Sequence, residues 1–189
     1  AMVTFDGALD TALELNTLGP KRILDFARNE NNPVIVHVST CYVNGTQIGE
    51  ILEHPLDAMS DMKNRNKHVY DVDIEIELIK SKIQEIVSES KNPSRSVGFY
   101  LNKWLKKDIR QDPKGFGDVR ISEGLRTDLV ERRLVSEGMR WAKSRGWNDT
   151  YTFTKAMGEQ IISRYGVGLP IAIVRPAIIE SSLETPEPG

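Results

Sequence analysis

Tyr151 and Lys155 lie four residues apart, at the two ends of the run YTFTK. Residues with this spacing share one face of a helix, so a phenol and an ammonium group would stand side by side. A phenol beside an ammonium group is a proton donor suited to the reduction of a carbonyl. Chance also produces this spacing, so the elements around the pair must decide whether it is an active site.

Two apolar runs flank the pair and predict buried parallel strands. Residues 33–39 are short, rich in β-branched side chains and almost continuously apolar, and residues 169–174 repeat the pattern before Arg175-Pro176. Asp149 is a candidate cap for a helix that carries Tyr151 and Lys155 to about Tyr165. Ligands bind outside the carboxyl ends of strands in open α/β sheets, so these strand ends and this helix should border one crevice.

The remaining chain divides into a helix before the first strand and a long helical insertion. Residues 9–28 have helical periodicity and predict one long helix or two abutting helices around Gly19-Pro20. Residues 49–147 are charged, with helices predicted at 72–90, 97–109 and 127–144 and a loop at 112–117. We therefore predict an α/β fold with a parallel sheet, in which residues 1–48 and 148–189 are α/β portions and residues 49–147 are inserted.

Composition excludes several classes of function. The 189 residues carry a formal net charge of -2, which gives no general attraction to nucleic acid. Cys41 is the single cysteine, so neither an intrachain disulfide nor a thiolate metal cluster can form. His54 and His68 lack the spacing of a metal-binding pair. We expect no metal. No apolar run spans a bilayer and the first residues lack a signal-peptide pattern, so we expect a cytoplasmic protein.

Several short runs resemble one enzyme family. Thr40, then Tyr151 and Lys155, then Arg175-Pro176 occur in the order of the extended short-chain dehydrogenase/reductase family. Residues 38–45 (VSTCYVNG) and 173–181 (IVRPAIIES) are similar to its fatty acyl-CoA reductase branch, the male sterility type. The opening, residues 3–6 (VTFD) and 13–16 (LELN), resembles the same branch. The resemblance implies a Rossmann-like parallel sheet.

The resemblance also implies an activity: transfer of a hydride from NADPH to a fatty acyl-CoA thioester, giving a fatty aldehyde or alcohol. It assigns Tyr151 as proton donor, Thr40 as a hydrogen-bond donor to the oxyanion, and Lys155 as the partner of the phenol and of the nicotinamide ribose. Lys155 should lower the pKa of Tyr151 by its charge. Pro176 and Ile178 should wall the nicotinamide pocket. Asn16 either holds a water for proton relay or satisfies a helix carbonyl.

The glycine-rich dinucleotide turn of this family is missing. Gly115-x-Gly117 has Arg120 where a third glycine is required, and Gly166-x-Gly168 has Ile171. We expect that the pyrophosphate-binding half precedes Ala1 in the natural protein, so that this chain is a fragment and is inactive alone. Its strands would lack sheet neighbours, and apolar sheet edges favour self-association, such as a homo-oligomer.

Other interpretations remain open at this stage. The chain is alternatively another extended reductase or epimerase, acting on a carrier thioester or a nucleotide sugar, or a non-catalytic binding module. Cys41 is either a thiolate that accepts the acyl group or a small buried hydrophobe. The insertion either covers a long acyl chain or presents a solvated face, as we expect for its basic residues: Arg132, Arg133, Arg140, Lys143 and Arg145. Lys103, Lys106 and Lys107 beside Trp104 are candidates to contact CoA phosphates or a peripheral membrane surface.

Overall fold

A computed structural model describes residues 2–31, 33–51, 53–54, 56, 70–91, 123–178 and 184. The helices are α1 (Leu9–Ala12), a π-helical turn (Leu13–Leu18), α2 (Gly19–Arg28), a 3-10 turn (Cys41–Asn44), α3 (Val72–Ser90), α4 (Glu123–Arg145) and α5 (Thr150–Tyr165), and the strands are β1 (Ile35–Val38) and β2 (Ile171–Val174). Helices and parallel strands confirm the α/β fold class. The predicted helix at 97–109, the loop at 112–117 and the lysines around Trp104 lie outside the described residues.

The first helical stretch runs without a gap from Leu9 to Arg28, and its π-helical and α-helical parts abut at Gly19-Pro20, as predicted. The π-helical turn Leu13–Leu18 precedes Gly19-Pro20 and contains Asn16. Pro20 has no N–H to donate to the carbonyl of Asn16 four residues earlier, so regular α-helical hydrogen bonding fails there. Wider turns of this kind are frequent at functional sites.

The two strands pair in parallel, with Ile35 opposite Ile171 and Val38 opposite Val174. Ile35, Ile171 and Ile173 pack against the helical core. The prediction that both strands are buried was wrong for the opposite face, where the side chains of Val36, Val38 and Val174 are exposed. Within the described part of the chain, helices cover only one face of this sheet. Self-association through the exposed face stays a prediction.

Helix α5 forms the centre of the core and carries the predicted pair. Its residues from Thr152 to Ile162 are buried, including the apolar side chains Phe153, Met157 and Ile161. Phe153 contacts the rings of Tyr70 and Trp147 at centroid distances of 5.8 and 5.4 Å. These contacts tie α5 to the residues that flank the two inserted helices, while the π-helical turn and α2 pack against it as well.

Helices α3 and α4 of the insertion are joined by a buried carboxylate. Glu75 in α3 accepts hydrogen bonds from Nε1 of Trp141 at 2.5 Å and from Nε of Arg145 at 2.7 Å. Arg133 pairs with Glu89 across the same two helices. The expectation of a solvated basic face was therefore wrong for Arg145 and Arg133, because each neutralises a carboxylate of the neighbouring helix. No helix among the described residues is long and apolar enough to cross a bilayer.

The insertion leaves and rejoins the α/β portion at one point, which we call the clasp (residues 43–46 and 146–147). The N–H of Thr46 donates to the carbonyl of Gly146 at 2.9 Å, and Nε1 of Trp147 donates to the carbonyl of Val43 at 3.0 Å. Gly45 and Gly146 have φ angles of 67° and 93°. These values favour glycine, because side chains at positive φ are strained.

Candidate active site

The first turn of α5 is fixed on both sides. Asp149 caps it, as predicted, by accepting a hydrogen bond from the N–H of Thr152 at 2.8 Å. The N–H of Tyr151 donates to the carbonyl of Phe5 at 3.3 Å, and the two rings meet edge to face with centroids 5.7 Å apart. The phenol is thus held by its own backbone and by an aromatic neighbour.

The carboxyl ends of the two strands remain joined beyond the sheet. The N–H of Ser39 donates to the carbonyl of Val174 at 2.7 Å, and the N–H of Cys41 donates to that of Pro176 at 3.0 Å. These bonds bring Thr40 and Pro176 to one edge, beside the first turn of α5. The two strand ends and the start of α5 are therefore neighbours, and a crevice between them stays a prediction.

Thr40 and Tyr151 meet at this edge. Thr40 is buried, its Oγ1 accepts a hydrogen bond from the N–H of Tyr42 at 3.3 Å, and its hydroxyl lies close enough to the phenol to favour the ionised form. Burial nevertheless dominates and raises the pKa of Tyr151, and the negative charge of Asp149 acts in the same direction. Lys155 is not among the groups that shift the pKa of Tyr151, so the expectation that it lowers this pKa was wrong. The phenol is held protonated.

Lys155 is buried and points at β1. Its ammonium donates a hydrogen bond to the carbonyl of Val38 at 2.6 Å, and this contact accounts for its orientation toward the strand rather than toward the phenol. Burial lowers the pKa of Lys155, while the negative charge of Glu159 raises it. An ammonium group carries three N–H donors, so two remain beyond the bond to Val38.

Asn16 ties the first residues of the chain to α5. Its Oδ1 accepts from the N–H of Met2 at 3.0 Å, and its Nδ2 donates to the carbonyl of Met2 and to Oγ1 of Thr154, each at 3.2 Å. The carbonyl that it satisfies belongs to the opening segment rather than to a helix. Asn16 therefore positions the segment that carries Phe5. The water-relay role stays a prediction.

The remaining candidates lie around the strand ends. Pro176 is half-buried and Ile178 is exposed, so both apolar side chains are available to a ligand at this edge. Cys41 is a free, half-buried thiol in the 3-10 turn. The hydroxyl of Ser39 is buried and has no hydrogen-bond partner among the described residues. No cluster of three or more His, Cys, Asp or Glu side chains able to hold a metal occurs in the described ranges.

Sequence reasoning missed two residues of this site. Glu159 follows Lys155 by four residues, so the spacing that paired Tyr151 with Lys155 also places Glu159 on the same face. A search for charge at this spacing would have found it. Phe5 gave no such signal, because its contact with Tyr151 bridges segments far apart in sequence.

His37 lies on the sheet face that α5 covers and is expected to make the protein sensitive to acid. Burial, and secondarily the charge of Lys155, lower the pKa of His37 from 6.5 to about 4. Between pH 6.5 and 4 the unfolded chain therefore binds a proton that the folded chain does not. The free energy of unfolding consequently decreases as the pH is lowered through this range. We expect a loss of about 2 kcal/mol over this range, after allowance for the partial exposure of the ring.

Urea unfolding at pH 6.5 and at pH 4 tests this expectation. His37→Gln should lose about 2 kcal/mol less stability than the parent chain over the range, since it has no imidazole to titrate. His54→Gln is the matched control, because His54 is exposed. Equal acid sensitivity in His37→Gln and the parent would show that His37 is not the source.

Known proteins resemble the chain over its whole length. A family model for an NAD-binding family, described as "Male sterility protein", matches residues 1–189. Fatty acyl-CoA reductase 1 of Arabidopsis thaliana is 32% identical over 190 residues, covering 100% of this chain and 31% of the relative. The same values hold for the alcohol-forming fatty acyl-CoA reductase of Simmondsia chinensis.

A shorter match extends the resemblance to animals. Fatty acyl-CoA reductase 2 of Bos taurus is 46% identical in an alignment 71 positions long, which covers 32% of this chain and 14% of the relative. The chain spans about a third of the length of the plant relatives that it matches in full. Because the family model covers every residue, the chain belongs to the NAD-binding family of male sterility proteins.

Proposed function

We propose that this chain contributes to an NADPH-dependent fatty acyl-CoA reductase, with Tyr151 as the proton donor. The observation that carries the proposal is the meeting of Thr40, Tyr151 and Lys155 where β1 and β2 end. These are the side chains that the reductase family uses, at the sheet edge where α/β folds bind ligands. The names of the relatives support a fatty acyl-CoA substrate.

The residues at this edge fit a nicotinamide cofactor. Lys155 has two N–H donors beyond its bond to Val38, which suit the hydroxyls of a ribose, and Tyr151 lies one turn before it on α5. The unpartnered hydroxyl of Ser39 gives a further polar contact. Pro176 and Ile178 would pack against the nicotinamide ring. Membership of an NAD-binding family supports this assignment, and the choice of NADPH follows the resemblance to the reductases.

The mechanism assigns each side chain a task. A reduced nicotinamide held by Lys155 would supply the hydride for the carbonyl carbon of the substrate. Tyr151 would donate a proton to the carbonyl oxygen as negative charge develops there, and its raised pKa keeps the phenol in the protonated form before reaction. Thr40 donates a hydrogen bond to the same oxygen, which stabilises the developing charge. The resulting hemithioacetal would lose CoA as its thiol when the C–S bond breaks and the C=O bond forms again, which leaves the fatty aldehyde. Lys155 holds the ribose and so orients the cofactor.

The proposal is tested with the natural gene product that carries this sequence. Oxidation of NADPH should begin on addition of a long-chain acyl-CoA, with a fatty aldehyde or alcohol as product by mass spectrometry, and NADH should be the poorer donor. Absence of oxidation with either donor would refute the proposal. Oxidation with a nucleotide sugar or a carrier-bound thioester, but not with acyl-CoA, would instead favour another extended reductase.

A further inference from the structure

A buried ion pair, formed by Glu159 and Arg175, lies one helical turn beyond Lys155 on α5. The side chain of Glu159 is fully buried, and Arg175 donates to it from Nε at 2.9 Å and from Nη2 at 2.5 Å. Both carboxylate oxygens are therefore engaged by the fork of one guanidinium. Such two-point contacts hold a carboxylate in one place and orientation, unlike a single flexible ammonium contact.

The pair joins three segments at the edge where the strands end. Glu159 belongs to α5, Arg175 follows β2 directly, and Nη2 of Arg175 also donates to the carbonyl of His54 at 2.9 Å. The catalytic helix, the end of β2 and the start of the insertion are thus connected through one guanidinium. Arg175, Glu53 and His54 also line a cavity of about 640 Å³ beside β2.

Glu159 is the counter-charge of the buried Lys155. It lies one turn after Lys155 on α5, and its negative charge opposes the effect of burial on the ammonium. His37 faces the same ammonium from β1 and is neutral near pH 7, because its pKa is about 4. Arg175 pairs with Glu159 and not with Lys155. Tyr151 lies one helical turn before Lys155. Among these four neighbours of Lys155, Glu159 is therefore the one whose negative charge favours the ammonium form.

We propose that Glu159, locked in place by Arg175, is a positioning residue that keeps Lys155 charged, so that its ammonium stays bound to the carbonyl of Val38 at the carboxyl end of β1. The inference rests on the proposed reductase function, in which Lys155 must carry its charge to orient the cofactor. It assigns a role to a buried carboxylate that donates no proton and contacts no substrate. Two independent readouts, titration and catalysis, test it.

The direct test follows the titration of Lys155 in the natural protein by NMR of ¹³Cε-labelled lysine, with the signal assigned by its loss in Lys155→Arg. Glu159→Gln removes the counter-charge and leaves Arg175 positive, so Lys155 should release its proton at lower pH than in the parent. The alkaline limb of the pH profile for NADPH oxidation should shift in the same direction. The KM for acyl-CoA should change less than kcat.

Two variants serve as controls. Glu159→Gln/Arg175→Met removes both charges and avoids a buried unpaired guanidinium, so this variant should fold. It should lower the titration midpoint of Lys155 by less than Glu159→Gln does. Glu75→Gln removes an equally buried carboxylate that pairs with Arg145. It should reduce stability and leave both the titration of Lys155 and the pH profile unchanged.

The outcomes separate this inference from the proposed function. If the parent protein does not reduce acyl-CoA, the proposed function fails, while the titration of Lys155 still decides the role of Glu159. An unchanged midpoint in both variants that lack Glu159 would overturn the inference. So would an equal shift in Glu75→Gln, because the effect would then reflect general loosening of the fold.

Discussion

Tyr151→Phe is expected to lower kcat for acyl-CoA reduction by a factor of about 10²–10⁴, the range typical of a lost general acid. The change removes one hydroxyl and keeps the ring, so the edge-to-face contact with Phe5 persists and α5 stays in place. The KM for acyl-CoA should change little. Steady-state oxidation of NADPH by the natural protein measures both quantities.

The pH profile sharpens this prediction. Because burial raises the pKa of Tyr151 and lowers that of Lys155, the phenol remains protonated past its ordinary range, and the alkaline limb of the activity profile should report the loss of the Lys155 proton rather than ionisation of Tyr151. Tyr42→Phe is the matched control, since Tyr42 follows Thr40 closely and its side chain is largely exposed. Retention of full activity in Tyr151→Phe would remove the phenol from the mechanism.

Gly158→Ala is expected to destabilise the chain by about 2 kcal/mol, although alanine is the better helix former by about 1 kcal/mol. A Cβ at this position would overlap the carbonyl oxygen of Asn16, which belongs to the π-helical turn packed against α5. Backbone cannot rotate away as a side chain can. Either α5 or the π-helical turn must therefore move. This movement would lengthen the hydrogen bond from Asn16 to Thr154, which joins the two elements.

Thermal unfolding of the chain measures this effect, and we expect a fall in Tm of about 4–8 °C. Gly124→Ala provides the control, because nothing lies within 4 Å of the added methyl group at this exposed position of α4. That variant should be unchanged or slightly stabilised. A Tm for Gly158→Ala equal to or above that of the parent would contradict the close approach of the two helices.

The features predicted from sequence are those that depend on local pattern. The helix at 72–90 has the predicted bounds, the cap at Asp149 follows from local residue types, and both strands lie within the predicted ranges but are shorter than predicted. The order of Thr40, Tyr151 and Lys155 was sufficient to place them at one edge, because parallel strands align their carboxyl ends. Periodicity and topology together therefore indicated the fold class and the sheet edge at which these three side chains lie.

The features that sequence missed depend on contacts between distant segments. Whether one face of β1 is covered depends on packing against other elements, and an apolar run looks the same in either case. The pKa of Tyr151 rises because burial outweighs charge, and spacing along a helix carries no information about burial. The use of Arg145 to neutralise Glu75 requires α3 and α4 to meet, which no local pattern encodes.

The clasp has a consequence for the order of folding. β1 and β2 are separated by residues 39–170, and the entropy cost of closing a loop grows with the logarithm of its length. Once Thr46 binds Gly146 and Trp147 binds Val43, two short segments connect β1 to α5, and the insertion becomes a side branch. Strand pairing then has only a short loop left to close. We therefore expect the two clasp segments to meet before the strands pair, so that Trp147→Phe, which removes the bond to Val43, should slow folding more than it speeds unfolding in stopped-flow measurements.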